Sequence, residues 1–376
     1  MLAAVRTAIA AHEGWLAFDE YLQLVMYAPG LGYYSAGSAK FGTDGDFITA
    51  PELSRLFGHC LARHCAPLLR QLRAGGAGAD ILELGAGSGR LAVDVLTRLA
   101  SLNALPDRYL ILEVSAELRA RQQVLVATLP ASLRERVSWL DRLPAQPLRA
   151  VMLANEVADA LPFKRFAVGA GGLLEIGVAV DAEGGLRLRE RAALPALAAD
   201  FQRISANLPA KLPPGYTSEL CPLLDGWIAS LAQSLAAGAI LLCDYGLARC
   251  EYYHPDRDHG TLRCHYRHRA HDDALWCPGL QDITAWVDFT RVAEAASVAQ
   301  LDVSVYCTQA GMLLGAGIDQ ELAAATDERQ RLRLAGEARQ LLMPDAMGEC
   351  FKCMALTRDC DVDAWRFAPQ DLRRHL

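Results

Sequence analysis

The sequence has no apolar run long enough to span a bilayer; its longest, Leu235 to Cys243, falls far short. It has no basic excess either. Its 37 lysines and arginines stand against 44 acids, a formal net charge of −7. That balance disfavours a general nucleic-acid or anionic-membrane binder, while leaving room for a local basic patch. No signal peptide is evident, because His12, Glu13, Asp19 and Glu20 interrupt the early apolar residues, and no arginine-rich, acid-poor transit segment is seen. The expectation is a bacterial, cytoplasmic protein rather than a mitochondrial one. Internal repeats and low-complexity tracts are missing. The 11 cysteines are odd in number and scattered, which suits a reducing compartment better than a disulfide framework. What is present, 52% hydrophobic and 22% charged over 376 residues, is ordinary globular material. It suffices for one large domain with additions, or for two.

The chain is organised around Asp80-Ile81-Leu82-Glu83-Leu84-Gly85-Ala86-Gly87-Ser88-Gly89-Arg90-Leu91. Ile81, Leu82 and Leu84 read as a buried strand. Gly85, Gly87 and Gly89 allow a turn with positive φ and close approach of a ligand. Leu91, Ala92, Val95, Leu96 and Leu99 then follow at helical spacing. Strand, glycine turn and helix in that order open a Rossmann-like βαβ unit, with the ligand at the turn. A dinucleotide fingerprint needs its third glycine one residue later, where Arg90 stands, and a P-loop needs a Gly-Lys-Ser/Thr ending. Glu83, just before the turn, would repel a pyrophosphate and suit a cationic ligand. The E-x-G-x-G-x-G pattern resembles the first motif of class I S-adenosylmethionine methyltransferases. In that family the acid helps hold the amino-acid part of the cofactor.

Residues 1 to about 28 read as helical, and a second helix is expected from about Glu52 to Leu72, with Pro51 in its first turn. Residues 1–75 are therefore expected to form a helical cap, joined by the Gly75-Gly76-Ala77-Gly78 linker to a catalytic domain over 76–376. From Asp80 strands and helices alternate. Further strands are expected at 109–115, 136–141, 150–156, 239–246, 301–307 and 351–357. Seven such strands match an α/β class I methyltransferase sheet, whose last strand runs antiparallel. Insertions are expected at about 165–230, with hairpin turns at Gly171-Gly172 and Gly184-Gly185, and at about 248–290, polar and loop-rich.

Polar residues stand at the strand ends, where an open α/β sheet binds its ligand. Glu113 can accept both ribose hydroxyls of an adenosine, and Asp141 an adenine amino group. Asn155, after the fourth strand, completes the register. The loop that follows, Asn155-Glu156-Val157-Ala158-Asp159-Ala160-Leu161-Pro162, lacks the N/D-P-P-aromatic motif that grips a flipped base. Its two acids, Glu156 and Asp159, instead suit a cationic nitrogen. Paired carboxylates fix a guanidinium by bidentate hydrogen bonds and can take its proton. The histidines at 254, 259, 265, 268 and 271 lie near Cys264 but show no recognised zinc spacing, so no metal is expected. The lone Cys350-x-x-Cys353 pair reads as buried apolar cysteine.

Taken whole, the chain resembles the MidA-like family. The resemblance runs through Gly45-Asp46-Phe47-Ile48-Thr49-Ala50-Pro51-Glu52 with Ser54, Glu83 to Gly89, Glu113-Val114-Ser115, and Asn155-Glu156 with Asp159-Ala160-Leu161-Pro162. It continues in Asp244-Tyr245-Gly246, Gly260-Thr261-Leu262, Asp282-Ile283-Thr284-Ala285 and Met347-Gly348-Glu349. Val157-Ala158 replaces a bulkier pair and Trp286 stands where histidine is usual, differences that bear on the substrate pocket and not on the cofactor site.

The resemblance implies a class I fold, S-adenosylmethionine as cofactor, and methylation of a protein nitrogen, with arginine foremost. Mitochondrial members methylate arginine on a subunit of respiratory complex I and assist its assembly, so a respiratory-complex subunit is one expected partner. The Asp46 to Ser54 stretch would lie over the cofactor as a lid, with Phe47 and Thr49 in contact. Two alternatives stand beside this: methylation of a small molecule, and a non-catalytic assembly factor that binds the cofactor. The identity of the acceptor and the oligomeric state are not legible.

Overall fold

The alternating runs fold around a twisted sheet in the computed structural model, which describes residues 1–35, 49–76 and 78–376. Its seven strands are β1 (Asp80–Leu84), β2 (Tyr109–Leu112), β3 (Val137–Leu140), β4 (Leu148–Asn155), β5 (Leu235–Leu247), β6 (Asp302–Thr308) and β7 (Phe351–Arg358). They lie in the order β6-β7-β5-β4-β1-β2-β3. Neighbours from β5 to β3 pair in parallel. β7 runs antiparallel between β5 and β6, as expected. A short strand, Val287–Asp288, adds parallel pairing at the end of β5. The chain winds outward from β1 to β3 and returns to β4 beside β1. That reversal makes a crevice at the C-terminal ends of β1 and β4.

Helices cover both faces, so the central strands are mostly apolar along their middles. Side chains alternate across the sheet. Ile81, Ile111, Val151, Leu153 and Leu241 bury against the helices Arg55–Ala74 and Arg90–Ser101 on one face. Leu82, Met152, Ala154, Ile240 and Leu242 bury on the other, against Leu223–Gln233 and Phe289–Val298. Each such leucine or isoleucine contributes roughly 1.5–3 kcal/mol by leaving water.

The expected cap over residues 1–75 divides between two cores. Helices Leu2–Ala11 and Phe18–Tyr27 pack beside the strand Leu16–Ala17, which pairs with Gly172–Val180 of an inserted sheet. Helix Arg55–Ala74 packs on the central sheet instead, because Leu56, Cys60, Leu61, Leu68 and Leu72 give it a broad apolar stripe. The single helix expected from Glu52 is broken. A short turn, Ala50–Leu53, ends at the extended Ser54, whose hydroxyl accepts the Leu56 N–H at 3.2 Å as an N-cap.

The insertion turns at both predicted glycine pairs, giving strands Lys164–Gly169, Gly172–Val180 and Leu186–Ala192, with Thr217–Leu220 added at the edge. The polar stretch after residue 248 is more ordered than expected. Arg263–Tyr266, Arg269–His271 and Asp282–Thr284 form a small sheet. Its Cys264 and Ile283 share a core with Tyr21, Met26 and Tyr33 of the N-terminal segment. The Ala285 N–H reaches the Asp159 carbonyl at 3.4 Å, tying this sheet to the loop after β4. Among the described residues no helix is long and apolar enough to cross a membrane.

Candidate active site

The ends of β1, β2 and β4 open into a cavity of about 520 Å³, a volume ordinary for a small-molecule site. The glycine turn forms its floor. Gly85, Gly87 and Gly89 have φ of 60°, 54° and 88°, a region that side chains with a Cβ resist. Gly85 and Gly87 line the cavity, while Gly89 starts the helix Arg90–Ser101. A Cβ on Gly89 would lie 3.2 Å from the Gln122 backbone. The Ser88 hydroxyl bonds the Glu52 carboxylate, joining the turn to the Ala50–Leu53 segment.

Glu83 lies in the cavity wall and accepts the Tyr109 hydroxyl at 2.6 Å. Burial pushes its carboxyl up to about 7; the Tyr109 bond opposes this and the Glu113 charge adds to it. Glu113 accepts the Ser115 N–H at 2.8 Å on one oxygen and the Gln122 amide at 2.9 Å on the other. Gln122 escapes sequence reading, yet it is fully buried and braces the site. Its amide also donates to the Gly87 carbonyl at 3.0 Å and accepts the Trp139 indole at 2.9 Å. One signal existed. Leu118, Gln122 and Val126 are the buried residues of helix Ala116–Val126, so a polar side chain stands in an apolar row.

Three expected cofactor contacts do not line the cavity: Gly89, which starts the helix, Asp141 and Ser54. Asp141 does not line the cavity; its side chain is 86% exposed and pairs with Arg119 at 2.6 Å. Beyond β3 the chain turns outward, and the nearest cation captures the carboxylate. Leu143, two residues on, lines the cavity instead. Ser54 is spent on its helix cap and on Glu337, to which its hydroxyl donates at 2.6 Å. Thr49 does line the cavity. Asp46 and Phe47 lie outside the described residues.

The loop after β4 forms the opposite wall through Asn155, Glu156, Val157 and Asp159. Glu156 has φ of 53°, a strained conformation for a residue other than glycine or asparagine. Its carboxylate accepts the Asn155 amide at 3.1 Å. Behind the loop, one oxygen of the buried Asp244 accepts the N–H groups of Val157, Ala158 and Asp159 at 3.2, 2.9 and 3.3 Å. Asp244 thereby fixes the loop, a role invisible from its place in β5. From the N-terminal segment and the small sheet come Tyr27, Tyr34 and Asp282, also unassigned by sequence.

This end of the cavity is acidic. Burial raises the Glu156 carboxyl well above its ordinary range, and the Asp159 charge raises it further. Asp159 is raised likewise by burial, then by Asp244 and Asp282. Its Oδ1 is buried with no hydrogen-bond partner among the described residues. Arg90 is the one cation among the described lining residues, beside the glycine turn. The cavity thus joins two regions. One has glycine backbone and the Glu83 and Glu113 carboxylates; the other has buried carboxylates whose ionised form a cation would favour.

Residues 60–307 match the family described as "Putative S-adenosyl-L-methionine-dependent methyltransferase". The chain is 40% identical, with a TM-score of 0.92, to a Burkholderia thailandensis protein whose crystal structure holds S-adenosyl-homocysteine; the match covers 100% of this chain and 96% of that one. It is 30% identical to the mitochondrial protein arginine methyltransferase NDUFAF7 of Mus musculus, over 91% of this chain and 81% of that protein. The Danio rerio counterpart is 29% identical over 90% and 82%. The chemistry of the lining suits S-adenosylmethionine: Glu83 and Glu113 offer acceptors for an ammonium and hydroxyls, and among the described lining residues Arg90 at the helix start is the one cation a diphosphate could use. The chain belongs to the MidA-like family of class I S-adenosylmethionine-dependent methyltransferases.

Proposed function

We propose that this enzyme methylates a terminal nitrogen of arginine in a protein. The observation that carries the reading is the pair Glu156 and Asp159 lining the same cavity as the glycine turn, with Asp159 Oδ1 left without a partner among the described residues. The arginine methyltransferase named among the relatives supports it. Glu83 and Glu113 would hold the cofactor's ammonium and ribose, with Gly85 and Gly87 beneath.

When bound, S-adenosylmethionine supplies a methyl group activated by its sulfonium. The chain's own residues then align the acceptor and exclude water. Glu156 and Asp159 accept guanidinium N–H bonds, fix its plane, and localise its charge away from the reacting nitrogen. That nitrogen gains a carbon and loses a proton, and Glu156 takes the proton. Asp244 keeps both acids in place through the loop backbone. The strain at Glu156 is repaid by aiming its carboxylate inward.

Methyl-labelled cofactor, incubated with the enzyme and lysate from a strain lacking it, tests the reading. Label is expected in discrete protein bands. Label confined to the small-molecule fraction, or none despite measured cofactor binding, contradicts it.

Cofactor affinity should depend on pH through Glu83. A cationic ligand favours the ionised carboxylate, so binding releases the proton that burial holds up to about 7. Affinity therefore rises with pH and levels off above about 7. Below that it falls by up to about tenfold per pH unit. Calorimetry from about pH 5.5 to 7.5, below the ordinary α-amino pKa, measures this. Glu83→Gln should weaken binding and flatten the profile. An unaltered slope in the variant removes Glu83 from the ammonium site.

A further inference from the structure

We propose that Asp282, contributed by the second insertion, is a third carboxylate of the acceptor chamber, and that with the Tyr27 and Tyr34 rings it selects a flat guanidinium over an ammonium group. The proposal rests on the arginine reading above and adds to it the residues that would set acceptor choice.

Asp282 opens the strand Asp282–Thr284 and is 2% exposed, yet it lines the cavity. Its Oδ1 accepts the Tyr34 hydroxyl at 2.9 Å. Tyr27 donates its hydroxyl to the Ala160 carbonyl at 2.5 Å, on the loop that carries Asp159. Each tyrosine thus spends its proton on a fixed acceptor and keeps its ring along the cavity. The ring centroids are 5.4 Å apart and the planes differ by 33°, so the two make one continuous wall. Three segments distant in sequence meet here: the N-terminal helix and its following turn, the loop after β4, and the small inserted sheet.

Packing of Cys264 and Ile283 and the Ala285-to-Asp159 backbone bond hold the insertion against the loop that carries Asp159. Setting Asp282 near Asp159 raises the cost of ionising Asp159, since buried like charges repel. The second observation is Asp159 itself, 7% exposed, with Oδ1 unpartnered among the described residues and the residue lining the same chamber. A guanidinium answers both features. It carries five N–H donors in a plane, enough to reach carboxylates on three sides, and its face stacks on aromatic rings. An ammonium has three donors about one point and cannot satisfy the same spread.

The test is titration calorimetry on full-length enzyme loaded with S-adenosyl-homocysteine, using ethylguanidinium and propylammonium chlorides as probes. Wild type is expected to bind ethylguanidinium at least about tenfold more tightly than propylammonium. Asp282→Asn should erase about tenfold or more of that affinity while the affinity for S-adenosyl-homocysteine holds. Should that variant fail to fold, Tyr34→Phe decides, because it frees Asp282 from its orienting bond and should cost several-fold. Wild-type ethylguanidinium affinity in Asp282→Asn, or in Tyr34→Phe as its substitute, overturns the role of Asp282 and leaves the arginine reading standing. No preference for ethylguanidinium in wild type overturns both.

Discussion

Glu156→Gln is expected to lower methyl transfer by about a hundred- to a thousandfold while cofactor affinity stays within about twofold of wild type. The substitution keeps shape and backbone preference, so the strained φ of 53° is neither relieved nor worsened. An amide oxygen can still accept from Asn155. On the arginine reading, what is lost is the negative charge beside the guanidinium and the group that takes its proton. The proposed cofactor contacts, Glu83, Glu113 and the glycine turn, lie at the ends of other strands and should not sense the change. Single-turnover transfer and calorimetry on one preparation separate the two effects. Full transfer in the variant would show that Glu156 is not the proton acceptor. Equal loss of cofactor binding would make it part of the cofactor site.

Gly87→Val should act in the reverse manner, abolishing cofactor binding, with an affinity loss of at least about a hundredfold. At φ of 54° a β-branched side chain is strained by about 1–3 kcal/mol. Relief requires the turn to move. Moving it breaks the Gln122 bond to the Gly87 carbonyl, and Gln122 in turn holds Glu113 and Trp139. The glycine turn and Glu113, the proposed ribose acceptor, are therefore disturbed together. Calorimetry with S-adenosylmethionine reads the effect. Unchanged affinity would mean that the turn does not lie against the cofactor.

The sheet was legible because its signals are local. Runs such as Val151-Met152-Leu153-Ala154 are buried on both faces, and the glycine turn announces its own geometry. Glu83, Glu113, Asn155, Glu156 and Asp159 line the cavity, where the rule that an open sheet collects its ligand at strand ends puts them. The same rule misplaced Asp141, since a strand-end position does not say whether an arginine on the next helix will claim the carboxylate. Ser54 fell to a competing local rule: a serine before a helix caps it. Gln122, Asp244, Tyr34 and Asp282 depend on partners far away in the chain, and spacing carries no record of such contacts. The cap divided for a similar reason. Helical periodicity defined its pieces, but only their partners decided that residues 1–35 join the inserted sheets while 55–74 join the central one.

The most direct test of the central claim is the chemical identity of the methylated product. Protein labelled by the wild-type enzyme with methyl-labelled S-adenosylmethionine is hydrolysed to amino acids and analysed by mass spectrometry. An acidic chamber that fixes a guanidinium predicts the label in methylarginine, and its loss with Glu156→Gln. Label in methyllysine, in a carboxyl methyl ester, or in methylarginine that persists at full level in that variant would contradict it.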